Sequence, residues 1–185
     1  SFVDITARKQ AEQAHATRAR QLEALRATTA DLTRELELAP LLRLLIARAA
    51  ELVGASSATV YLWEPDQGVV VPAAWHGLGD WQATLRHRLG HGIAGTVAAT
   101  RGSVLANDYR VSRYANPVTL QHTAVTASLG EPLLYREELI GAITLSHEGG
   151  RTFTEEDQAL LRLFANQAAV AIANARLFRK EHHGR

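Results

Sequence analysis

The sequence has 185 residues, a net charge of +1 and 46% hydrophobic side chains. That length suits one domain with appended helices, and the apolar fraction is enough to bury a core. The balanced charge argues against a nucleic-acid partner, and no apolar run is long enough for membrane contact through a spanning helix. Because Cys is absent, disulfides, thiolate metal sites and a cysteine nucleophile are excluded, and we expect a cytoplasmic protein. Because the chain begins at Ser1 and has no Met, we expect it to be part of a longer protein.

The first third of the sequence predicts two helices. Residues 7–37 contain no Gly or Pro, and a coiled-coil seam with alternating spacings of three and four residues is formed by Leu22, Leu25, Thr29, Leu32 and Leu36. Such a stripe needs a partner helix, so we expect a homodimer through the terminal helices; the alternative is a solvated helix packed on its own domain. Pro40 predicts the first turn of a second helix, which Gly54 ends.

The middle of the sequence predicts short strands joined by turns. The predicted strands are residues 58–63, 69–75, 103–106, 125–134 and 139–146. A short helix is expected over 93–100 and an irregular loop over 107–121. Two of the strand pairs are separated only by turns, which makes them antiparallel. In the last strand we expect one face to carry Ile140, Ala142 and Thr144, and the other face to carry Leu139, Ile143 and Leu145.

The end of the sequence predicts a long closing helix. Thr154 and Asp157 have the spacing of a capping box, and the helix that they start is expected to continue to about Glu181. Leu160, Leu163 and Val170 belong to a second coiled-coil-like seam along it. The expected fold class is α+β, a central antiparallel sheet covered by helices with long coiled-coil-like helices at both ends.

Three stretches of the sequence carry motifs in a characteristic order and spacing. They are Gly90 to Gly102 followed by Val104-Leu-Ala-Asn-Asp108, Ala127 to Leu134 followed by Leu139 to Ile143, and the closing stretch from Phe153 to Phe178. Together these motifs resemble those of GAF domains. The first residues, around Asp4-Ile-Thr6, resemble the end of a PAS domain. The resemblance implies four segments: the end of a PAS domain at 1–6, a signalling helix at 7–37, a GAF domain at 38–178 and the start of an output linker at 179–185.

This resemblance implies a non-catalytic sensory and regulatory domain of bacterial signal transduction. We expect dimeric helices to relay the signal to an output domain, a sensor histidine kinase of a two-component system first and a diguanylate cyclase second. The alternatives are a small-molecule receptor that binds a nucleotide, haem or metabolite, and a protein-docking module. The GAF segment has no Lys and the chain no Cys, so it lacks a cyclic-nucleotide signature that contains Lys and cannot attach a bilin through Cys.

GAF domains typically bind ligands between the sheet and the excursion that here spans residues 90–121. The resemblance therefore implies a pocket with aromatic and polar candidates: Trp75, His91, Tyr109, Tyr114, His122, Ser128 and Glu131. Glu131 is the most specific candidate because a buried carboxylate must pair, hold a donor ligand or be neutral. Its alternative is to face water, if Pro132 marks a bulge or a sheet edge.

Two other patterns have weaker functional interpretations. Gly90, Gly92 and Gly95 form a GxGxxG pattern followed by Asp108, but the neighbouring hairpins do not fit the βαβ unit of a dinucleotide site. Turn geometry and close packing explain these glycines, and the helix amides after them could hold an anionic group. The histidines predict no metal site, although a lone axial haem ligand stays open among His76, His91, His122 and His147.

Overall fold

The computed structural model describes residues 23–183, with side chains over 37–176. The expected PAS segment at 1–6 and residues 7–22 of the expected signalling helix lie outside the described residues. The helices and strands are α1 (Glu23–Val53), β1 (Ser57–Glu64), β2 (Val69–His76), β3 (His87–Arg88), α2 (Gly92–Thr100), β4 (Val104–Ala106), α3 (Pro117–His122), β5 (Val125–Tyr135), β6 (Glu138–Glu148) and α4 (Glu155–His183). Two 3₁₀ helices, Asp80–Thr84 and Tyr109–Val111, precede β3 and α3. The sequence predicted neither β3 nor α3.

The six strands form one antiparallel sheet in the order β3-β2-β1-β6-β5-β4. Its central pair joins β1 to β6, with Ser57 opposite Ser146 and Leu62 opposite Gly141. Gly141 is required there because an added Cβ would overlap the carbonyl oxygen of Tyr61. The two edge strands, β3 and β4, are only two and three residues long, and short edge strands are one way in which sheets limit pairing with another chain.

Helices cover both faces of the sheet, which confirms the α+β class. On one face α1 and α4 pack together, α1 against β1 and β2 and α4 against β5 and β6. They enclose a core that includes Leu42, Ile46, Leu129, Ile143, Leu161 and Ile172. On the other face α2 and the segment after β4 bury a second, smaller cluster that includes Tyr61, Ile93, Val97, Tyr109 and Val125. Within residues 23–183, no helix is both long and apolar enough to cross a membrane.

Helix α1 corrects the prediction that a new helix starts at Pro40. The helix runs without a break from Glu23 to Val53, with Pro40 inside it. A proline in a helix interior removes one backbone hydrogen bond and crowds the preceding turn. Here its ring is exposed, and the following turns bury Leu42 and Ile46 against the sheet, so tertiary packing offsets the local cost.

Strand β6 corrects the predicted division of side chains between the two faces. Leu133 pairs with Gly141, but the next residue, Leu134, pairs with Leu139. Ile140 is therefore an extra residue on β6, a β-bulge that reverses the alternation at this point. As a result Ile140 joins the α1–α4 core and Leu139 joins the α2 cluster.

The start of α4 confirms the predicted capping box. The backbone N–H of Thr154 donates to Asp157 Oδ2 at 2.9 Å, and the N–H of Asp157 donates to Thr154 Oγ1 at 3.2 Å. Two orphan amides of the first turn are thus satisfied reciprocally. Three acidic residues, Glu155, Glu156 and Asp157, lie in that turn, where they interact favourably with the positive end of the helix.

Candidate ligand-binding site

A small cavity lies between the sheet and α2, on the face opposite α1 and α4. Its volume is about 50 Å³. Strands β1, β5 and β6 form its floor, the first turn of α2 and the two 3₁₀ segments form its walls, and α3 approaches its mouth. The polar residues that line it are Ser57, Thr59, Tyr61, Gln82, His87, Tyr109, Asn116, Thr119, Ser128, Thr144 and Ser146.

The polar floor comes from strands that carry hydroxyl groups at every second position. Ser57, Thr59 and Tyr61 of β1 point into the cavity, while the intervening Val60 packs in the α1–α4 core. The same alternation on β5 brings Ser128 into the cavity, where its Oγ lies 3.1 Å from Ser146 Oγ. Because side chains alternate between faces along a strand, hydroxyls from several strands converge on one surface.

Gln82 connects the 3₁₀ wall to this floor. Its side-chain amide donates to Tyr61 Oη at 2.8 Å and to Thr59 Oγ1 at 3.2 Å. Burial raises the pKa of the Tyr61 hydroxyl, and the hydrogen bond from Gln82 offsets only part of this effect. Tyr61 is therefore neutral at physiological pH and presents a hydroxyl proton to the cavity.

His87 is the buried titratable group at the edge of the cavity. It is 6% exposed, its ring packs edge-on against Tyr61 with centroids 5.3 Å apart, and no hydrogen-bond partner is found for it among the described residues. Burial, and then the Coulombic interaction with His91, lowers its pKa to about 4. At neutral pH His87 is thus an uncharged ring with one donor and one acceptor nitrogen.

The first turn of α2 supplies backbone donors to the same space. Gly92, Ile93 and Ala94 line the cavity, and the side chain of the N-cap residue, His91, makes no capping hydrogen bond. The N–H groups of a first helical turn have no partner within the helix. They are therefore available to an acceptor atom of a ligand, as the sequence interpretation of this segment suggested.

Of the predicted site residues, the structure brings Tyr109 and Ser128 into the cavity. The hydroxyl of Tyr109 also accepts the N–H of Asn116 at 3.0 Å, which fixes the chain before α3. Trp75 pairs with Thr59 and so lies on the cavity face of β2, but it is not among the lining residues. His91 is exposed at the N-cap of α2. Tyr114 is half-buried, packs against the α2 cluster and carries the guanidinium of Arg113 5.1 Å from its ring.

The structure places the last two predicted residues elsewhere. His122 is exposed on α3, where its ring stacks on Trp81 at 4.9 Å, and both line an open depression of about 310 Å³. Glu131 lies on the opposite face of β5, under α4, and is only 2% exposed. There, Ser103 Oγ is 2.6 Å from each carboxylate oxygen, and Arg162 Nη2 is 3.4 Å from Oε1. Glu131 therefore faces neither the cavity nor water.

Sequence reasoning missed Gln82, His87 and Thr144 as lining residues. The segment that contains Gln82 and His87 shows no hydrophobic periodicity, so no element was assigned to it. A signal for Thr144 was present, because polar residues at alternate positions interrupt otherwise apolar strands, as Thr144 and Ser146 do on β6. Such a pattern indicates that one buried face borders a polar space.

The glycine pattern has the packing role that its context indicates. Gly90 and Gly92 have φ values of 83° and 68°, a backbone region that favours glycine. At Gly95 an added Cβ would overlap the carbonyl oxygen of Arg88.

Within the described part of the chain, no group of three or more His, Asp or Glu side chains is arranged to hold a metal ion.

Comparison with solved structures finds the same fold in GAF domains of two other proteins and in a free methionine-R-sulfoxide reductase. The GAF domain of a phosphoenolpyruvate-protein phosphotransferase from Coxiella burnetii superposes with a TM-score of 0.70 at 24% identity, over 83% of this chain and 96% of that one. The free methionine-R-sulfoxide reductase of Neisseria meningitidis gives 0.66 at 20% identity, over 76% and 80%. The GAF-B domain of DevS from Mycobacterium smegmatis gives 0.62 at 22% identity, over 78% and 98%. Identities this low show a shared fold and nothing further.

The family model described as GAF domain matches residues 35–173, which are most of the chain. This match spans the sheet, the cavity and most of α4, and it confirms the resemblance seen in the sequence motifs. The chain belongs to the GAF domain family, a family of regulatory and sensory domains.

Proposed function

We propose that this GAF domain is a non-catalytic sensory module in which a small polar ligand in the cavity changes the packing of α1 and α4 and so regulates an output domain. The proposal rests on strand β5, whose side chains point alternately to the two faces of the sheet. Ser128 on this strand lines the cavity, and Glu131 is linked to α4 by Arg162. A ligand that shifts β5 therefore acts directly on α4.

The size and chemistry of the cavity favour a ligand of few heavy atoms. Its volume of about 50 Å³ compares with ~30 Å³ for one water in the liquid and ~300–1,000 Å³ for pockets that hold drug-sized molecules. A nucleotide or a haem is larger than this cavity. No Asp, Glu, Lys or Arg stands among the described lining residues, and His87 is neutral. The hydroxyls and the α2 amides thus suit an oxygen-rich molecule that is uncharged or carries a single negative charge.

Exposed apolar side chains on α1 and α4 support a relay through a homodimer. Leu44 of α1 is 69% exposed and Leu163 of α4 is 60% exposed. Leu163 and Val170, both exposed, lie seven residues apart and so on one face of α4, at the seam positions of the sequence. Two protomers would bury these residues by pairing their helices in parallel. Because α1 and α4 enter and leave the domain, this arrangement suits a module between an upstream PAS domain and a histidine kinase or a diguanylate cyclase.

The absence of a thiol argues against sulfoxide reduction, the reaction of the methionine-R-sulfoxide reductase that has the same fold. Reducing a sulfoxide takes two electrons and removes an oxygen atom, and among protein side chains a thiol is the group that can accept that oxygen and be restored. This chain has no Cys. A binding role for the cavity is therefore favoured over a reductase role.

A thermal-shift screen with compact polar molecules such as urea, glycine, formate and nitrate tests the ligand. A specific ligand at a hundred times its Kd stabilises the protein by about 2.7 kcal/mol. Thr144→Val removes a cavity hydroxyl at nearly constant shape and should abolish this gain, whereas Thr152→Val, at an exposed position, should not. Bound ligand should also slow hydrogen exchange in α4, and Arg162→Ala should remove that effect. If no compound stabilises the chain, or if α4 exchanges equally with and without ligand, the proposal fails.

Light scattering tests the dimer. We expect the chain to be dimeric, and Leu44→Glu combined with Leu163→Glu to make it monomeric, because each substitution places a charge in the proposed dimer interface. Val111→Glu is the matched control, since Val111 is an exposed apolar residue far from both helices in sequence. A wild-type chain that stays monomeric at high concentration, or an equal effect of Val111→Glu, would refute dimerisation through these helices.

A further inference from the structure

A groove at the far end of the sheet has the size and chemistry of a second ligand site. We call it the arginine groove; it lies between the tips of the β1–β2 and β5–β6 hairpins, the end of α2 and the later part of α4. Its volume is about 520 Å³, within the range of small-molecule pockets. It shares no lining residue with the cavity under α2. It is therefore separate from the site of the proposed function.

The groove has a pronounced excess of positive charge. Arg101, Arg136 and Arg176 line it, and Glu138 is the one acidic residue among the lining positions. Three guanidinium groups and one carboxylate leave a net charge of +2. Among the described side chains, the ion pair found is between Arg162 and Glu131, elsewhere in the fold. The three guanidinium groups of the groove are thus available to an anion, and their planar, forked donors match phosphate oxygens.

Two of the arginines are held in place by side-chain contacts at the rim of the groove. Arg101, Arg136 and Glu137 have φ values of 54°, 51° and 68°, and they are the non-glycine residues with positive φ in the described part of the chain. Arg101 Nη1 donates to the carbonyl oxygen of Glu137 at 2.7 Å. The guanidinium of Arg136 lies 5.2 Å from the centre of the Tyr135 ring. The contacts of these two side chains preorganise the rim of the groove. The positive φ values themselves belong to a helix cap at Arg101 and to a two-residue hairpin turn at Arg136 and Glu137.

Aromatic and aliphatic side chains complete the surface. Trp63 and Tyr135 are half-buried, so part of each ring is anchored in a core cluster while part borders the groove. Leu139 and Ile140, the pair whose faces are exchanged by the bulge in β6, add an apolar floor. A flat ring is the ligand group that such walls favour, because it can stack on an aromatic face or on a guanidinium plane.

From this combination we propose that the arginine groove binds a small molecule that joins a flat aromatic ring to a phosphate monoester, the class to which nucleoside monophosphates belong. A phosphate monoester carries a charge near −2 at neutral pH, which balances the net charge of the groove. A carboxylate would balance only half of it. Since Arg176 belongs to α4, the ligand would contact the helix that leaves the domain.

Isothermal titration calorimetry on the chain tests this inference with four probes. Adenosine monophosphate has both the ring and the dianion, phenyl phosphate has a simpler ring, and adenosine and inorganic phosphate each have one part. We expect both aromatic phosphates to bind and the two single-part probes to bind at least roughly tenfold more weakly, as expected when a charge-assisted contact or a stacking contact is lost. Equal affinity for adenosine and adenosine monophosphate would overturn the inference, as would no binding of either aromatic phosphate at millimolar concentration.

Three variants locate the binding. Arg136→Asn removes one charge and places in the turn a residue that tolerates positive φ, so the fold should be retained. Arg176→Gln removes a charge from a helix with little change in helix propensity. Each should weaken adenosine monophosphate by roughly tenfold or more, while Arg48→Gln, an exposed arginine on α1, should leave the Kd unchanged. If the two groove variants, shown by circular dichroism to be folded, bind like Arg48→Gln, the ligand lies elsewhere and the groove assignment is wrong.

Discussion

Replacing Gly130 by Ala tests how tightly α2 is packed against the sheet beside the cavity. Gly130 lies on β5 and faces α2. An ideal Cβ at this position would lie 2.7 Å from Val97 Cγ2 and 2.8 Å from Ile93 Cγ2. Favourable contacts between carbon atoms are ~3.5–4.0 Å long. The new methyl group would therefore have to move α2 or its side chains by about 1 Å.

The expected cost follows from two opposing effects. Overpacking a core typically destabilises a protein by about 1–3 kcal/mol. The φ angle of Gly130 is not in the left-handed region, so Ala also restricts the unfolded chain, which stabilises by about 0.4–1 kcal/mol. We therefore expect Gly130→Ala to lower the free energy of unfolding by about 1–2 kcal/mol.

Urea denaturation followed by circular dichroism measures this change. Gly102→Ala is the matched control, because its nearest neighbours would lie 3.9 Å from the added Cβ. Without overpacking only the restriction of the unfolded chain remains, so we expect this variant to be more stable by about 0.4–1 kcal/mol. Val97→Ala removes one of the clashing methyl groups, so the double variant should lose less stability than the two single variants together. The reasoning is refuted if Gly130→Ala is as stable as Gly102→Ala, or if the effects of Gly130→Ala and Val97→Ala simply add.

Two further predictions concern buried ionisable side chains. The pKa of His87 in the folded state is about 4, below the usual ~6.5. Between these two pH values the unfolded chain therefore binds more protons than the folded chain. The contribution of His87 to stability should be fully present above pH ~6.5, and the free energy of unfolding should fall by roughly 3 kcal/mol as the pH drops to ~4. His87→Phe should flatten this part of the stability curve measured by urea denaturation, and an unchanged slope would contradict the assignment. At the other face, Glu131→Gln should cost about 1–2 kcal/mol, because the hydrogen bond from Ser103 loses its charge. Arg162→Ala should cost less than about 1 kcal/mol, because its side chain is 58% exposed, and equal costs would show that the ion pair outweighs the hydrogen bond.

Local signals were sufficient to predict most of the fold. The capping box of Thr154 and Asp157 acts within four residues, and the apolar strands have turns at their ends, so neither depends on the rest of the chain. Pro40 and Ile140 were misjudged because distant contacts decide their environment. The packing of α1 on the sheet carries the helix through Pro40, and the bulge at Ile140 depends on how β6 pairs with β5.

The site was less predictable than the fold. Tyr109 and Ser128 were expected at the cavity, and they line it, because the segment 90–121 and strand β5 were placed correctly on the same face of the sheet. Ser128 and Glu131 are three positions apart on one regular strand. Because side chains alternate between the faces, this odd spacing places them on opposite faces, and the spacing could be read from the sequence. Gln82 and His87 lie in a segment whose path is set by tertiary contacts, such as the hydrogen bond from Gln82 to Tyr61, and no local pattern marks them.

The central pairing of β1 with β6 has a consequence for synthesis on the ribosome. β1 pairs early with β2, but its other side waits for β6, which is made much later; Ser57, for example, pairs with Ser146. At a translation rate of about 5–20 residues per second, that wait is roughly 5–20 s. During this time an apolar strand that ends up in the middle of the sheet has one open edge. The nascent chain therefore spends several seconds in a state prone to aggregation before its sheet can close.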